Sequence, residues 1–257
     1  MLVTNEPARV RAAIAPMHVE ARVSSPQTSQ VVAGHTLMLL KQKGDWWRVR
    51  SADKYEGWMH RGYLERSSGD ESSWRLSTGV VVRDANGRER ALPLNARIPE
   101  SEIIVSGDAV LASQIAAQFP SVASSVVQSA ARFFTGTSYQ WGGVTPWACD
   151  CSGMVQSVYT LHGIALPRDA YQQAQVGENI PITNLRSDSL AQLREGDLLF
   201  FSDRDDRRVT HVGISLSNEG LLHAALGRGG ASFEDLRGAD DYVLRLRQNF
   251  VSARRVF

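Results

Sequence analysis

The sequence predicts an α+β protein in which one or two small all-β barrels precede a mixed domain. Short strand-like runs with turn residues between them fill residues 12–66. At Ser121 the hydrophobic period changes to that of a helix. Strand-like runs return at residue 198, and helices followed by antiparallel strands are typical of the α+β class.

The first segment, residues 1–66, is predicted to form a small barrel. Its clearest strands are 35–40, 46–50 and 55–59, and the turns Ala33-Gly34 and Gly44-Asp45 separate them. The order of these runs resembles a bacterial SH3 domain, a module that commonly binds cell-wall peptides. The polar residues 67–73 are predicted to be a linker.

A second β-rich segment covers residues 74–115. Strands are predicted at 79–83 and 91–94, on either side of an Asn-Gly turn, and again at 103–105 and 109–111. This segment is either a second SH3-like barrel or a β-extension of a neighbouring domain.

The third segment, residues 120–257, is predicted to be the mixed domain. One helical stripe precedes Gly136 and comprises Val122, Val126, Ala130 and Phe133. A second helix is predicted after Asp150, which is a good N-cap type, and it ends before Gly163. Strands are expected at 198–201, 211–216, 221–224 and 242–247.

Composition excludes several classes of function. Lysine and arginine total 28 against 27 acidic residues, so the net charge of +1 lacks the basic field that nucleic-acid binding needs. No apolar run reaches transmembrane length, and residues 1–11 lack the layout of a secretory signal. We therefore expect no nucleic-acid partner, no membrane span and a cytoplasmic location, or a periplasmic or secreted one if a signal peptide was removed.

Cys151 is the candidate nucleophile. It falls in the first turn of the second predicted helix, where the helix dipole favours a thiolate near neutral pH. Cys149 is too close to Cys151 for an ordinary disulfide. With no second cysteine pair and no spaced histidine pair, the sequence favours neither a metal nor another cofactor.

A thiol nucleophile needs a base and a third group that orients the base. Three histidines lie in the first segment, and His162 ends the predicted Cys151 helix. His211 and His223 lie in adjacent predicted strands joined by residues 217–220. If that loop is centred on Asn218, Gly213 faces His223 and the two histidine rings are diagonal neighbours.

Six motifs give the third segment its resemblance to the NlpC/P60 family of cysteine peptidases. They are Tyr139-Gln140-Trp141-Gly142-Gly143, Asp150-Cys151-Ser152-Gly153, Gly163-Ile164-Ala165-Leu166-Pro167-Arg168, Gln172 or Gln173, Gly196-Asp197-Leu198-Leu199-Phe200-Phe201 and His211-Val212-Gly213-Ile214. The resemblance implies a papain-like core and peptides of bacterial cell-wall murein as substrates. It also implies catalytic roles: Cys151 as nucleophile, His211 as general base and acid, His223 as orienting residue, and the Tyr139 hydroxyl with the Cys151 backbone N–H as oxyanion donors.

The order of SH3-like segments and peptidase is similar to one branch of that family, the γ-D-glutamyl-L-diamino acid endopeptidases of murein peptide recycling. These cut between D-Glu and the diamino acid of peptides that begin L-Ala-γ-D-Glu. The resemblance implies substrate-binding roles for Asp150 on the L-Ala amine, for Ser152 and Arg168 on the D-Glu carboxylate, for Tyr55 as a wall of the amine pocket, and for Trp141. Such pairing is chemically sensible because an ammonium pairs with a carboxylate and a carboxylate with a guanidinium.

Two positions depart from the branch. Thr28 stands where an acidic residue is usual, with Asp53 or Glu56 as substitutes, and Ala170 stands where serine is common. For Arg168, a surface arginine at a helix start is the alternative. Two other functions stay open: a cell-wall-binding protein with an inactive peptidase fold, and a thiol amidase or acyltransferase on the same core.

Overall fold

The computed structural model describes residues 2–67 and 73–257. It divides into a first unit, Met1–Gln118, and a second unit, Phe119–Phe257. Of the predicted linker 67–73, residues 68–72 lie outside the described residues. Within the described ranges, no helix has the length and apolar character needed to cross a bilayer.

The first sheet of the first unit is antiparallel and follows the order β3-β2-β6-β5-β4-β1-β7. Its strands are β1 Pro7–Val10, β2 Ile14–His18, β3 Gln27–Val32, β4 Thr36–Lys43, β5 Trp46–Arg50, β6 Glu56–His60 and β7 Leu64–Arg66. Alternate residues of β2, β5 and β6 are buried, as a one-sided sheet requires. Met17, Trp47 and Met59 belong to the resulting core. The predicted strands at 35–40, 46–50 and 55–59 are confirmed.

The second sheet is built around its longest strand, β8, which pairs with the other strands of the sheet. The strands are β8 Trp74–Arg83, β9 Glu89–Leu92, β10 Arg97–Pro99 and β11 Ile103–Leu111. The two short strands predicted at 103–105 and 109–111 are one strand with shifts of register inside it. This sheet contacts the first through the Arg97 N–H, which donates to the Ala33 carbonyl at 2.9 Å.

The second unit packs helices against an antiparallel sheet of order β14-β19-β15-β16-β17-β18. Its helices are α2 Ala123–Phe134, α3 Cys151–Leu161, α4 Ala170–Gln173, α5 Ser187–Leu190 and α6 Asp241–Gln248, and a short α1 Ile115–Gln118 precedes them. Its strands are β12 Val144–Thr145, β13 Ala148–Cys149, β14 Glu178–Ile180, β15 Leu198–Phe201, β16 His211–Ser215, β17 Gly220–Ala225, β18 Gly230–Asp235 and β19 Phe250–Arg255. Helix α3 packs against β16 and β17.

Two predicted elements of this unit are wrong in detail. In α2 the buried aromatic residue is Phe134 rather than Phe133, and Val122 is the exposed N-cap. Residues 242–247 are predicted as a strand, yet they lie in α6. The Asp240 carboxylate caps this helix, and Val243 and Leu246 bury one helical face.

Candidate active site

The thiol of Cys151 lies at the N-terminus of α3, and Asp150 is the N-cap of that helix. One Asp150 oxygen accepts the Gly153 N–H at 2.7 Å, and the other accepts the Gly142 N–H at 2.8 Å. A Cβ on Gly153 would come within 2.0 Å of the Gly143 carbonyl oxygen, so only glycine fits there. These contacts hold the loop that contains Gly142 and Gly143 against the first turn of α3.

Arg168 forms a buried two-point ion pair with Asp150. Its Nη1 and Nη2 donate to Oδ1 and Oδ2 of Asp150 at 3.0 and 2.6 Å, and Nη1 also donates to the Ser152 hydroxyl at 2.8 Å. Only 1% of the Arg168 surface is exposed, so the alternative of a surface arginine is wrong. A cation therefore already neutralises the carboxylate beside the nucleophile.

A buried glutamine ties the Arg168 segment to the nucleophile helix. The Gln173 amide donates to the Ser152 carbonyl at 3.1 Å and to the Pro167 carbonyl at 2.9 Å. The side chain of Gln172 instead accepts the Asp169 N–H at the start of α4. Of the two glutamines considered from the sequence, Gln173 is the one that contacts the site.

Burial favours the neutral form of the Cys151 thiol. Burial and the negative charge of Asp150 raise its pKa to about 12, although hydrogen bonds with the Val212 and Ser152 backbone oppose this. This direction runs against the expected thiolate near neutral pH, because desolvation opposes the helix dipole. Burial and His223 lower the pKa of His211 to about 3, which favours its neutral imidazole.

The two histidines are brought together by the hairpin of β16 and β17. Ile214 pairs with Leu222 and Ser215 with Leu221, which is the predicted register. Nε2 of His211 lies 2.8 Å from Nδ1 of His223, and the ring centroids are 4.9 Å apart. The hydrogen bond between Cys151 and the Val212 backbone brings the thiol to the residue next to His211. The candidate base and orienting residue are thus in contact, and the candidate nucleophile is hydrogen-bonded to the backbone of the residue after the candidate base.

Sequence reasoning missed Glu234 and Arg228. Glu234 lies buried on β18, with Oε1 at 3.4 Å from Nε2 of His223, and Arg228 donates to both Glu234 oxygens at 2.8 and 2.6 Å. The sequence signals Glu234 only as an acidic residue that follows the predicted His223 strand, and β18 is not among the predicted strands. No group of three or more His, Cys, Asp or Glu in the described chain could hold a metal ion.

Tyr139 is half-buried in the loop before the glycine pair, and its N–H donates to the Gly229 carbonyl at 2.9 Å. Burial, together with the nearby Cys151 and Asp150, raises its pKa well above the ordinary range. The phenol therefore stays protonated and can donate a hydrogen bond near the thiol. Trp141, two residues further along, is 65% exposed.

The residues expected from the first segment lie in the first unit. Tyr55 is half-buried and packs against the barrel core, and its assignment to the amine pocket stays a prediction. Thr28 donates to the Met17 carbonyl at 3.3 Å. Two acids were considered in place of the acidic residue that is usual at position 28. Glu56 pairs with Arg50 at 2.7 Å and with Arg48 at 3.4 Å, and these pairs lower its pKa. Asp53 accepts the Tyr55 N–H at 3.1 Å.

With His211 as the base, as the resemblance implies, we expect His211→Ala to lower kcat/KM by roughly 10²- to 10⁴-fold, because a base transfers the proton directly. His223→Ala should cost less, since His223 only orients His211. Steady-state kinetics on one murein tripeptide would measure both. His162→Gln is a suitable control because that buried histidine binds the Pro120 carbonyl and the Ser129 hydroxyl at the far end of α3. A larger loss of kcat/KM in His223→Ala than in His211→Ala would mean that His223 is the base and His211 the orienting residue.

Comparison with known proteins identifies the family. The NlpC/P60 family model matches residues 136–243, and the bacterial SH3 domain model matches residues 15–65. The chain is 31% identical to the probable endopeptidase NlpC of Escherichia coli (strain K12) over 184 residues, which are 70% of this chain and 96% of that protein. The protein belongs to the NlpC/P60 family. It is a peptidoglycan-related peptidase that carries a bacterial SH3 domain.

Two further likenesses extend over more of the chain. It is 26% identical over 224 residues to the γ-D-glutamyl-L-lysine dipeptidyl-peptidase of Bacillus subtilis (strain 168), covering 76% of this chain and 71% of that protein. The crystal structure of an NlpC/P60 family protein from Bacillus cereus has a TM-score of 0.82 at 18% identity, over 98% of this chain and 99% of the other. The predicted fold, a papain-like α+β domain after small all-β sheets, is confirmed.

Proposed function

We propose that this peptidase is a cysteine endopeptidase that hydrolyses the γ-D-Glu–diamino acid bond of murein peptides with a free N-terminal L-Ala. The observation that carries the proposal is the buried Asp150–Arg168 pair beside Cys151. Asp150 is the residue before Cys151, and Arg168 contacts both Asp150 and Ser152, so a substrate ammonium and carboxylate would extend an existing ion pair rather than meet isolated charges. An L-Ala-γ-D-Glu end offers the complementary ammonium and carboxylate. The likeness to γ-D-glutamyl-L-lysine dipeptidyl-peptidases supports the same bond.

The proposed reaction follows acyl-transfer chemistry. The Cys151 sulfur attacks the γ-carbonyl carbon of D-Glu while its proton passes to His211. The Tyr139 hydroxyl and the Cys151 backbone N–H stabilise the oxyanion. His211 then protonates the leaving amine of the diamino acid, and water, deprotonated by His211, hydrolyses the thioester. Burial favours a neutral thiol and a neutral imidazole in the free protein, so in this proposal the ion pair forms as the reaction proceeds.

The amine specificity can be tested with three forms of L-Ala-γ-D-Glu-diaminopimelate. N-acetylation removes the ammonium that Asp150 would bind, and a charge-assisted hydrogen bond contributes about 1.5–3 kcal/mol. We therefore expect kcat/KM to fall roughly tenfold to a hundredfold on the acetylated peptide.

The N-methyl peptide is the matched control, because it adds bulk at the same nitrogen and keeps the charge. Its kcat/KM should stay close to that of the unmodified peptide. Comparable rates on the free and acetylated peptides, or ready digestion of purified murein sacculi, would contradict the proposal. A cytoplasmic location, where such small peptides would be the substrate, is part of the same proposal.

A further inference from the structure

The hydrogen-bonded chain that begins at His211 does not stop at His223. It continues through Nε2 of His223 to Glu234, and Arg228 holds both oxygens of that carboxylate. The Ser232 hydroxyl also donates to Oε1 of Glu234, at 3.2 Å. The Arg228 guanidinium is held in place in turn, because it stacks on the Tyr242 ring at 4.2 Å from the ring centroid. Glu234 is therefore a buried anion: Arg228 holds both of its oxygens, and Oε1 also contacts His223 and the Ser232 hydroxyl.

The charge of Glu234 decides which ring nitrogens carry protons. Burial raises its pKa, but hydrogen bonds from His223 and Arg228 outweigh this and hold the pKa at about 2. A carboxylate only accepts, so Nε2 of His223 must carry a hydrogen. In a neutral ring Nδ1 of His223 is then an acceptor, and Nε2 of His211, 2.8 Å away, must donate to it. Nδ1 of His211 is left without a proton.

We propose that Glu234, held by Arg228, is a positioning residue that sets the tautomers of both histidines and so presents Nδ1 of His211 as the base for the Cys151 thiol. This inference rests on the proposed function of Cys151 and His211. When the thiol proton reaches Nδ1 of His211, the imidazolium keeps its Nε2–H bond to His223. The Glu234 carboxylate at the end of the chain stabilises that positive charge, and the proton then leaves with the diamino acid amine.

Without the carboxylate, the opposite proton arrangement becomes accessible. His223 can then donate from Nδ1 to Nε2 of His211, which moves the His211 proton to Nδ1 and blocks the base. A wrong tautomer lowers turnover without changing the contacts that hold the substrate. Loss of Glu234 should therefore act on kcat much more than on KM.

The test compares Glu234→Gln with the matched control Asp240→Asn. Asp240 also contacts Arg228, at 3.3 Å, and asparagine can replace it as the N-cap of α6. For Glu234→Gln we expect kcat to fall roughly tenfold to a hundredfold, as for other outer partners of functional histidines, with KM within about twofold. Asp240→Asn should match the wild type in both.

Nitrogen-15 NMR reports the tautomer of each histidine ring, which would not change if Glu234 had a merely structural role. The wild-type protein should show Nε2–H tautomers at both His211 and His223, and Glu234→Gln should populate the Nδ1–H forms. A wild-type His211 protonated at Nδ1, or unchanged tautomers and kcat in Glu234→Gln, would overturn the inference. Cys151→Ala separates the two proposals: if it still turns over, the proposed function fails, whereas an inactive Cys151→Ala with a fully active Glu234→Gln rejects the positioning role alone.

Discussion

Cys151→Ala is expected to abolish turnover of murein peptides, with a loss of roughly 10⁴-fold or more, whereas Cys149→Ala keeps most of it. Cys151 lies at the start of α3 and hydrogen bonds with the backbone of Val212, next to the base. Cys149 lies on β13, fully buried, and burial raises the pKa of its thiol to about 12. The hydrogen bond with Val212 places Cys151 next to the strand residue that carries the proposed base, His211.

Kinetics with purified, folded variants would measure this difference, and circular dichroism would verify the fold. Cys149→Ala leaves a small cavity, so a modest decrease in Tm is expected without loss of kcat/KM. Equal loss of activity in both variants, with both folded, would contradict the assignment of the nucleophile.

Arg168→Met is expected to have the largest effect on stability, about 3–5 kcal/mol, because it leaves the buried Asp150 carboxylate unpaired. It should also impair catalysis. Asp150 raises the pKa of Cys151 and Arg168 lowers it, so removal of Arg168 makes the thiol harder to deprotonate. Urea unfolding would measure the first effect, and the rate of Cys151 alkylation by iodoacetamide would measure the second.

Arg255→Met is the matched control for this prediction. Arg255 forms a similar two-point pair with Asp197, at 2.8 and 2.6 Å, at the opposite end of β15 from the His211 side of the sheet. Its loss should reduce the free energy of unfolding but leave kcat/KM unchanged. If Arg168→Met has the stability and the kcat/KM of Arg255→Met, the ion pair has no special relation to the thiol.

The parts of the site that were predictable from sequence depend on short-range geometry. The N-cap Asp150 and the stop Gly163 define α3, and these signals act within one helical turn. The register that brings His223 beside His211 follows from the short connection between β16 and β17. In both cases neighbouring residues determine the structure.

The parts that were not predictable depend on packing between distant segments. Arg168 reaches Asp150 only because α4 and α3 fold together, so the same residue type was compatible with a surface position. The raised pKa of Cys151 also depends on packing between distant segments. The helix dipole is a local effect that favours the thiolate, whereas burial is a tertiary effect that opposes it more strongly. Glu234 was missed because β18 begins with small residues and ends with two acidic ones, whereas its neighbour β17 is a mostly apolar run.

The most direct test of the central proposal is mass spectrometry of the products from L-Ala-γ-D-Glu-diaminopimelate. The wild-type protein should release the dipeptide L-Ala-D-Glu and free diaminopimelate, and Cys151→Ala should release neither. Release of free L-Ala, or product formation that is independent of Cys151, would contradict it.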